Sequence, residues 1–546
     1  MVMRNGLKAV AILVGIMALY GLLASSSTLW DRDEPRFARA TMEMVESGNY
    51  LYPTFNGQLR PDKPILIYWA MSVFVRILGS RELAFRLPSI VGTAISCYIT
   101  YLMARRLSCA ETGLWAMAIL ATSLMAIVEG TAATADGLLL ACMMGAMWQF
   151  MKVFPGRMGI GHAVALGLAL GLAMLAKGPV GLLPVLIILS VVYLVEKGQL
   201  RLTNRLWPVV FATAIAICIF IAWALPANVA TGGLFAKAGL GHHVMGRSLR
   251  PLEGHGGRWL VYLPYYIPVA LVFLFPWTIH LPGAISAFIG RRIADRRICM
   301  ILLAWIGVVF VIMTIVATKL PHYVLFAWPA LAMVLARVIT LAKAGRLTQQ
   351  DLRWLRVGVL LYAPLATGAA LGLGSLGWVL GIPKWPGVVA AAILALTAIA
   401  AISFQFKGRI CHGSYVLLGG SVLLLLAISV LVMPAIEKVK ISLPLAKAIL
   451  GHVGADTPIA TFGYAEPSLN FYLGKRMEHL VSAEQVLEWV HRPGRGILVV
   501  SDPQQKVLQD QDGLAGMKVI AQVNGYNFSK GKRVTVWALA KDSIDG

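Results

Sequence analysis

Apolar runs of about 20 residues recur along the chain, separated by short polar links. A run of that length is what a helix rising 1.5 Å per residue needs to cross a ~30 Å hydrocarbon core. The pattern predicts thirteen spans, near 7–24, 88–104, 112–129, 137–152, 160–176, 180–196, 207–225, 259–279, 298–317, 322–341, 355–374, 386–406 and 413–433. With the amino terminus inside, the links "ARRLSCAE", "KVFPGR", "EKGQLRLTNR", "GRRIADRR", "KAGRLTQQDLRWLR" and "KGR" all fall on one side. Basic short links mark the cytoplasmic face, so the arrangement is self-consistent. Residues 7–24 follow Arg4 and Lys8 like a signal peptide, but the spans after them make this the first retained helix.

Residues 64–79, "PILIYWAMSVFVRILG", are the doubtful segment. Sixteen helical residues reach only about 24 Å, Arg76 interrupts them, and counting them as a span would invert every later link. They read as a helix lying in the outer interface, with a tilted true span as the alternative. Residues 434–546 leave the membrane on the outer side. There "TPIATFGY", "GILVVSD" and "RVTVWALA" read as strands and "SAEQVLEWVH" as an amphipathic helix, which predicts a small α/β domain. The expected division is therefore a membrane domain over 1–433, with its first outer loop at 25–87, and a soluble domain over 434–546.

Composition fits this picture. The chain is 58% hydrophobic and 13% charged, too apolar for a soluble protein of 546 residues. Its net charge of +23 does not call for nucleic acid. Residues 434–546 hold 13 Lys and Arg against 11 Asp and Glu, so the excess lies in the links between spans, where topology accounts for it. The six cysteines show no Cys-x-x-Cys spacing and none lies beyond residue 433, which argues against a disulfide framework or a thiolate zinc site.

Candidate chemistry gathers on the outer face. Seven of the 14 acids in residues 1–433 lie in the first outer loop: Asp31, Asp33, Glu34, Glu43, Glu46, Asp62 and Glu82. "DRDEPRFARATMEM" reads as a helix capped by Asp33 or Glu34 and ended by Gly48, its charged face solvated. That leaves the Asp33–Glu34 pair unexplained so near the membrane. Asp136, alone at the start of a span, reads either as a helix cap or as a site acid, and Lys177 in "AKGPVG" either snorkels or serves a site. The outer loop 226–258 carries Arg247, His242, His243 and His255 among glycines. His243 with Asp62 is the candidate pair for a divalent metal, without a fixed ligand spacing; no other cofactor is called for. "TKLPHY" adds Lys319, His322 and Tyr323, with aromatic-belt anchoring as the plain reading of the tyrosine.

"DRDEPRFARATMEMVESGNYLYPTFNGQLRPDKPILIYW", "TADG", "LAKGPVGLLP" and "TKLPHY" together resemble the lipid-to-acceptor glycosyltransferases of the GT-C superfamily. The likeness is greatest to the bacterial 4-amino-4-deoxy-L-arabinose transferases of lipid A, with protein O-mannosyltransferases as broader relatives. It covers roughly residues 1–433. The resemblance implies a multi-pass inner-membrane enzyme with its site and C-terminal domain in the periplasm. It implies an undecaprenyl-phosphate-linked aminosugar donor, a lipid A phosphate acceptor, a monomer among membrane lipids, and a link to resistance against polymyxin and cationic peptides. It places catalytic acids at Asp33 and Asp136, donor-phosphate and lipid contacts at Arg36, Lys63, Lys177 and Tyr323, and substrate contacts at Glu34, His322, Lys319 and Arg247. After "TKLPHY" the chain reads "VLFAWPALA", without a proline that many relatives carry. Two alternatives stay open: a relative with another sugar or a protein acceptor, and a lipid flippase. The latter is disfavoured because transporters tend to show repeated halves and mid-membrane polar groups.

Overall fold

In the computed structural model, which describes residues 2–154, 156–195, 202–239, 262–454, 457–509 and 516–541, helices lie along the predicted spans where those are described. Nine of the described helices are long and apolar enough to cross a membrane, or eleven when each of two bent pairs counts as one. The expected count of thirteen is therefore not reached by length and composition. Asp136–Val153 falls outside that tally, and Leu183–Val195 is only 13 residues long.

The first ten helices are α1 (Val2–Ser25), α2 (Asp33–Ser47), α3 (Leu66–Leu78), α4 (Glu82–Leu107), α5 (Ala110–Thr122), α6 (Leu124–Thr131), α7 (Asp136–Val153), α8 (Ile160–Lys177), α9 (Leu183–Val195) and α10 (Leu202–Ala230). Burial ranks the bundle. In α4, 72% of the spanning window is inside, and in Pro321–Lys343 89%, against 22% for Gln349–Leu380. The peripheral helices turn residues such as Leu360, Leu371 and Ile399 outward, where lipid solvates them as well as protein would. At the centre, α4 crosses α7 at glycines. A Cβ on Gly92 would stand 2.5 Å from the Gly137 carbonyl oxygen, and one on Gly137 2.7 Å from that of Ser89. This close approach presses the start of α7 against α4.

α2 forms where the sequence predicts it and ends at Gly48, whose φ of 70° suits a residue without Cβ. Two expectations about it fail. Arg32 is the N-cap and no side chain caps the helix, because Glu34 is engaged elsewhere. Part of its charged face is covered rather than solvated: Arg39 is 5% and Glu43 8% exposed, while Glu46 stays exposed. The cover is a hairpin of β1 (Thr54–Phe55) and β2 (Gln58–Leu59), closed by Asn56–Gly57, both at positive φ as a tight hairpin turn demands. Glu43 accepts hydrogen bonds from Thr54 Oγ1 (2.6 Å) and Gly57 N–H (3.2 Å) and pairs with Arg39 at 3.3 Å. The doubtful segment 64–79 is the 13-residue helix α3, too short to span, and it packs on α2 through Tyr68 against Phe37.

The C-terminal region is a small α/β layer. Its five-stranded sheet runs in the order β4 (Glu478–Leu480), β3 (Ile459–Phe462), β5 (Gly496–Ser501), β7 (Lys532–Lys541), β6 (Met517–Asn527). β3 is parallel to β4 and β5, and β7 is antiparallel to β5 and β6. Three strands and the helix Ala483–His491 match the sequence reading; β4 and β6 were not foreseen. The hairpin turn reaches this layer. Asn56 donates to the Met477 carbonyl and accepts from its N–H, both at 2.8 Å.

Candidate active site

At the end of the bundle that carries α2, a cavity of about 750 Å³ opens between the first loop and the helices. One wall is polar, with Asp33, Arg36, Arg60, Lys63, Glu129, Asp136, Lys177, His322 and Tyr323; the other is apolar, with Leu373, Leu394, Leu424 and Ile428. A second cavity of about 220 Å³, apolar apart from its mouth, adjoins it, lined by Pro179, Leu183, Phe220, Trp223 and Met313. Asp62, Lys63, Lys177 and Tyr323 belong to both, so two cations, an acid and an aromatic ring stand where the chambers meet.

The fold explains this convergence. α7 and α8 pack side by side and run in opposite directions, so the first residue of α7, Asp136, meets the last of α8, Lys177. An anion at a helix N-terminus and a cation at a C-terminus are each favoured by the exposed peptide dipoles. The two side chains join at 2.5 Å, both nearly buried. Lys177 also stands over the Tyr323 ring at 5.5 Å. Both plain readings thus give way: Asp136 caps nothing and Lys177 does not snorkel. On the opposite side, Ser123 adopts an extended backbone that breaks the α5–α6 helix with a 63° bend. α6 then carries Glu129 to the cavity, its Oε1 3.8 Å from His322 Nδ1.

The two first-turn acids of α2 part company. Asp33 faces the cavity and its carboxylate makes no hydrogen bond among the described residues. Glu34 is 4% exposed and accepts four N–H bonds, from Arg86 Nε (2.9 Å), Arg86 Nη2 (2.6 Å), Trp30 (2.7 Å) and Ala133 (2.6 Å). Burial pushes its carboxyl up, yet the Arg86 guanidinium and these donors outweigh it and hold it below the ordinary glutamate range. With its oxygens taken, Glu34 is an anchor of the loop and not a free substrate contact, contrary to expectation.

Lys319 corrects a second expectation. It is 5% exposed, lines neither cavity, and donates to the carbonyls of Met313 (3.1 Å), Thr314 (2.5 Å) and Val316 (2.5 Å), closing the end of the helix Arg296–Ile315. Arg36, Lys63, His322 and Tyr323 line the main cavity. Asp62 lies 3.5 Å from Arg60. His243 and Arg247 lie outside the described residues, and among those described no group of three His, Cys, Asp or Glu side chains is disposed to hold a metal. Arg60 and Glu129 are cavity residues that sequence reasoning passed over. Arg60 donates to Tyr68 Oη at 3.0 Å and stacks over Phe37, and its one sequence signal was adjacency to "PDKP".

A bundle of membrane helices, a short amphipathic helix after the first span and an acid-and-lysine cavity between them make up a fold already seen in a solved structure. The structure superposes on the crystal structure of ArnT from Cupriavidus metallidurans bound to undecaprenyl phosphate with a TM-score of 0.75, over 97% of both chains at 19% identity. Residues 62–225 match the dolichyl-phosphate-mannose-protein mannosyltransferase family. The likeness drawn from the sequence holds: the chain is similar to the undecaprenyl phosphate-alpha-4-amino-4-deoxy-L-arabinose arabinosyl transferases. That of Pectobacterium carotovorum is 29% identical over 378 residues and that of Pectobacterium atrosepticum 28% over 380, each match covering 67% of this chain. The match spans 66% of each relative, just under two thirds of its length.

Proposed function

We propose that the chain transfers 4-amino-4-deoxy-L-arabinose from undecaprenyl phosphate to a phosphate of lipid A, at the periplasmic face of the inner membrane. The observation that carries the reading is the junction of the two cavities, where Lys63, Lys177 and Tyr323 stand between an apolar chamber and a polar one that holds Asp33 and Asp136. A polyprenyl-phosphate sugar has this polarity, an apolar tail, an anionic joint and a hydroxylated head. The names of the relatives supply the particular sugar and carrier.

In the reaction, an oxygen of the acceptor phosphate attacks the anomeric carbon and forms the new C–O bond. The bond between that carbon and the carrier phosphate breaks, and its electron pair leaves with undecaprenyl phosphate. The acceptor is already ionised at neutral pH, so no strong general base is needed. The carrier phosphate gains charge as it leaves, and Lys63, Lys177 and Arg36 are the cations along the cavity that meet it. Asp33 and Asp136 hold the sugar, whose amino group is a cation that carboxylates favour. The added sugar brings positive charge to lipid A, which weakens its hold on polymyxin and other cationic peptides.

Mass spectrometry of lipid A from cells with and without this chain tests the reading. A pentosamine added to phosphate is the expected result. Unaltered lipid A beside a newly glycosylated protein would overturn it in favour of a protein acceptor.

A further inference from the structure

Residues 28–31, which lead into α2, are held one after another by residues beyond 433. The Thr28 N–H and hydroxyl donate to Glu437 at 3.1 and 2.8 Å, and Lys440 donates to the Thr28 carbonyl at 3.0 Å. The Leu29 N–H donates to Tyr472 Oη at 3.0 Å. The Trp30 ring lies 3.8 Å below Lys440 Nζ and meets Phe528 edge to face at 5.2 Å. Asp31 accepts from the Ser468 N–H at 2.9 Å and the Ser468 hydroxyl at 2.5 Å.

From the other side the bundle fixes the same strip. Arg86 donates to the Ser27 carbonyl at 2.7 Å and the Thr28 carbonyl at 3.0 Å, and the Trp30 N–H donates to Glu34. Two residues beyond Asp31, Asp33 projects into the cavity with no bond of its own among the described residues to hold it. Its direction is therefore set by the backbone on which it sits. Fixing a backbone residue costs ~1–2 kcal/mol of conformational entropy, and a reacting group displaced by ~1 Å loses about a hundredfold in rate. A region used only as a tether would not need a contact at each consecutive residue of this strip.

We propose that the C-terminal α/β region is a positioning element of the active site, in which Ser468 acts through Asp31 to hold residues 28–33 so that Asp33 faces the cavity. The inference rests on the reading of Asp33 as a working carboxylate. Ser468 does not line the cavity, and Asp31, which does, has its carboxylate engaged by Ser468; in this role both are positioning residues.

The test uses the full-length protein in lipid nanodiscs, with Ser468→Ala, Asp31→Ala, their double variant and the conservative Ser468→Thr. Sugar transfer is measured with undecaprenyl-phosphate aminoarabinose and lipid A, and amide hydrogen exchange is followed over residues 28–36. Each single alanine variant should lose about tenfold in kcat, with the KM for donor changed less than about threefold. The double variant should lose no more than either single one, and Ser468→Thr should restore kcat. Exchange over 28–36 should quicken about tenfold in Ser468→Ala. Wild-type exchange and kcat in Ser468→Ala, or losses that multiply in the double variant, would overturn the proposal. If the wild-type protein transfers no aminoarabinose, the functional reading fails, and the exchange measurement alone then decides: unchanged protection in Ser468→Ala refutes the positioning role.

Discussion

Arg86 grips Glu34 with two nitrogens, at 2.9 and 2.6 Å, from a site 52 residues away and almost fully buried. Next to it, Asp33 points into the cavity with no hydrogen bond among the described residues, near enough to Arg60 for the two charges to interact. Adjacent acids should therefore fail in opposite ways. Glu34→Gln breaks a buried pair and leaves Arg86 undercompensated, so stability should fall by about 3–5 kcal/mol, read as a lower Tm of the purified protein. Because Glu34 is held below its ordinary range, that stabilisation is complete above the usual glutamate pKa and is lost on acidification through the lowered value. Asp33→Asn should keep the wild-type Tm and abolish transfer. A Tm loss in Asp33→Asn equal to that of Glu34→Gln would deny the distinction.

Lys177 and Asp136 form a coupled pair between α7 and α8, and their loss should not be additive. Lys177→Met strands a buried carboxylate and should cost about 3 kcal/mol or more, while Asp136→Asn in the same background should recover much of it. Transfer should fall at least about a hundredfold in both, because the cation beside the carrier phosphate is gone. A thermal-unfolding double-mutant cycle measures the coupling, and strictly additive shifts would show the pair to be incidental.

The spans, the outer-face cluster of unusual residues and α2 were legible in the sequence, since apolar run length, basic links and isolated polar residues are all one-dimensional signals. What escaped was contact between distant segments. Amphipathic period told that Arg39 and Glu43 share a face, but not that the hairpin 54–59 would cover it. Asp33 and Glu34 looked equivalent because nothing local announces Arg86. Asp136 and Lys177 were each singled out as a lone charge at a helix end, yet the pairing needs α7 and α8 side by side. Glu129 passed as the end of a span, since the bend at Ser123 that aims α6 has no proline to mark it. β4 is three residues long, and β6 carries a register shift between Val519 and Ala521, so neither shows a clean alternation.

Glu129 is expected to read the donor's amino group. It shares the cavity with Asp33 and Asp136, makes no hydrogen bond among the described residues, and keeps its carboxylate 3.8 Å from His322. Asp33 and Asp136, with the Glu129 carboxyl as a hydrogen-bonding group beside them, favour an aminosugar over a neutral one. Glu129→Gln should lower kcat/KM about tenfold for undecaprenyl-phosphate aminoarabinose and leave transfer from the corresponding neutral pentose donor nearly unchanged. Competition between the two donors measures the ratio, and an equal fall for both would remove Glu129 from specificity.

Docking of the C-terminal region should tighten as pH falls. Burial raises the Asp31 carboxyl to about 6 and Glu466 adds to the rise, while the Ser468 hydrogen bonds and Lys440 oppose it; Tyr464 also faces the group. A carboxyl whose pKa is higher docked than free takes up a proton on docking. Its contribution is therefore full below the ordinary aspartate value of 3.8 and is lost as pH rises through about 6. Between pH 5 and 7.5 the segment 28–36 should lose about tenfold in exchange protection, or ~1.4 kcal/mol, once intrinsic exchange rates are divided out. Asp31→Asn, neutral at every pH, should abolish that slope and keep the protection seen under acidic conditions. Protection that instead rises with pH in the wild type would mean that Asp31 docks as the anion, held by Lys440 against its burial.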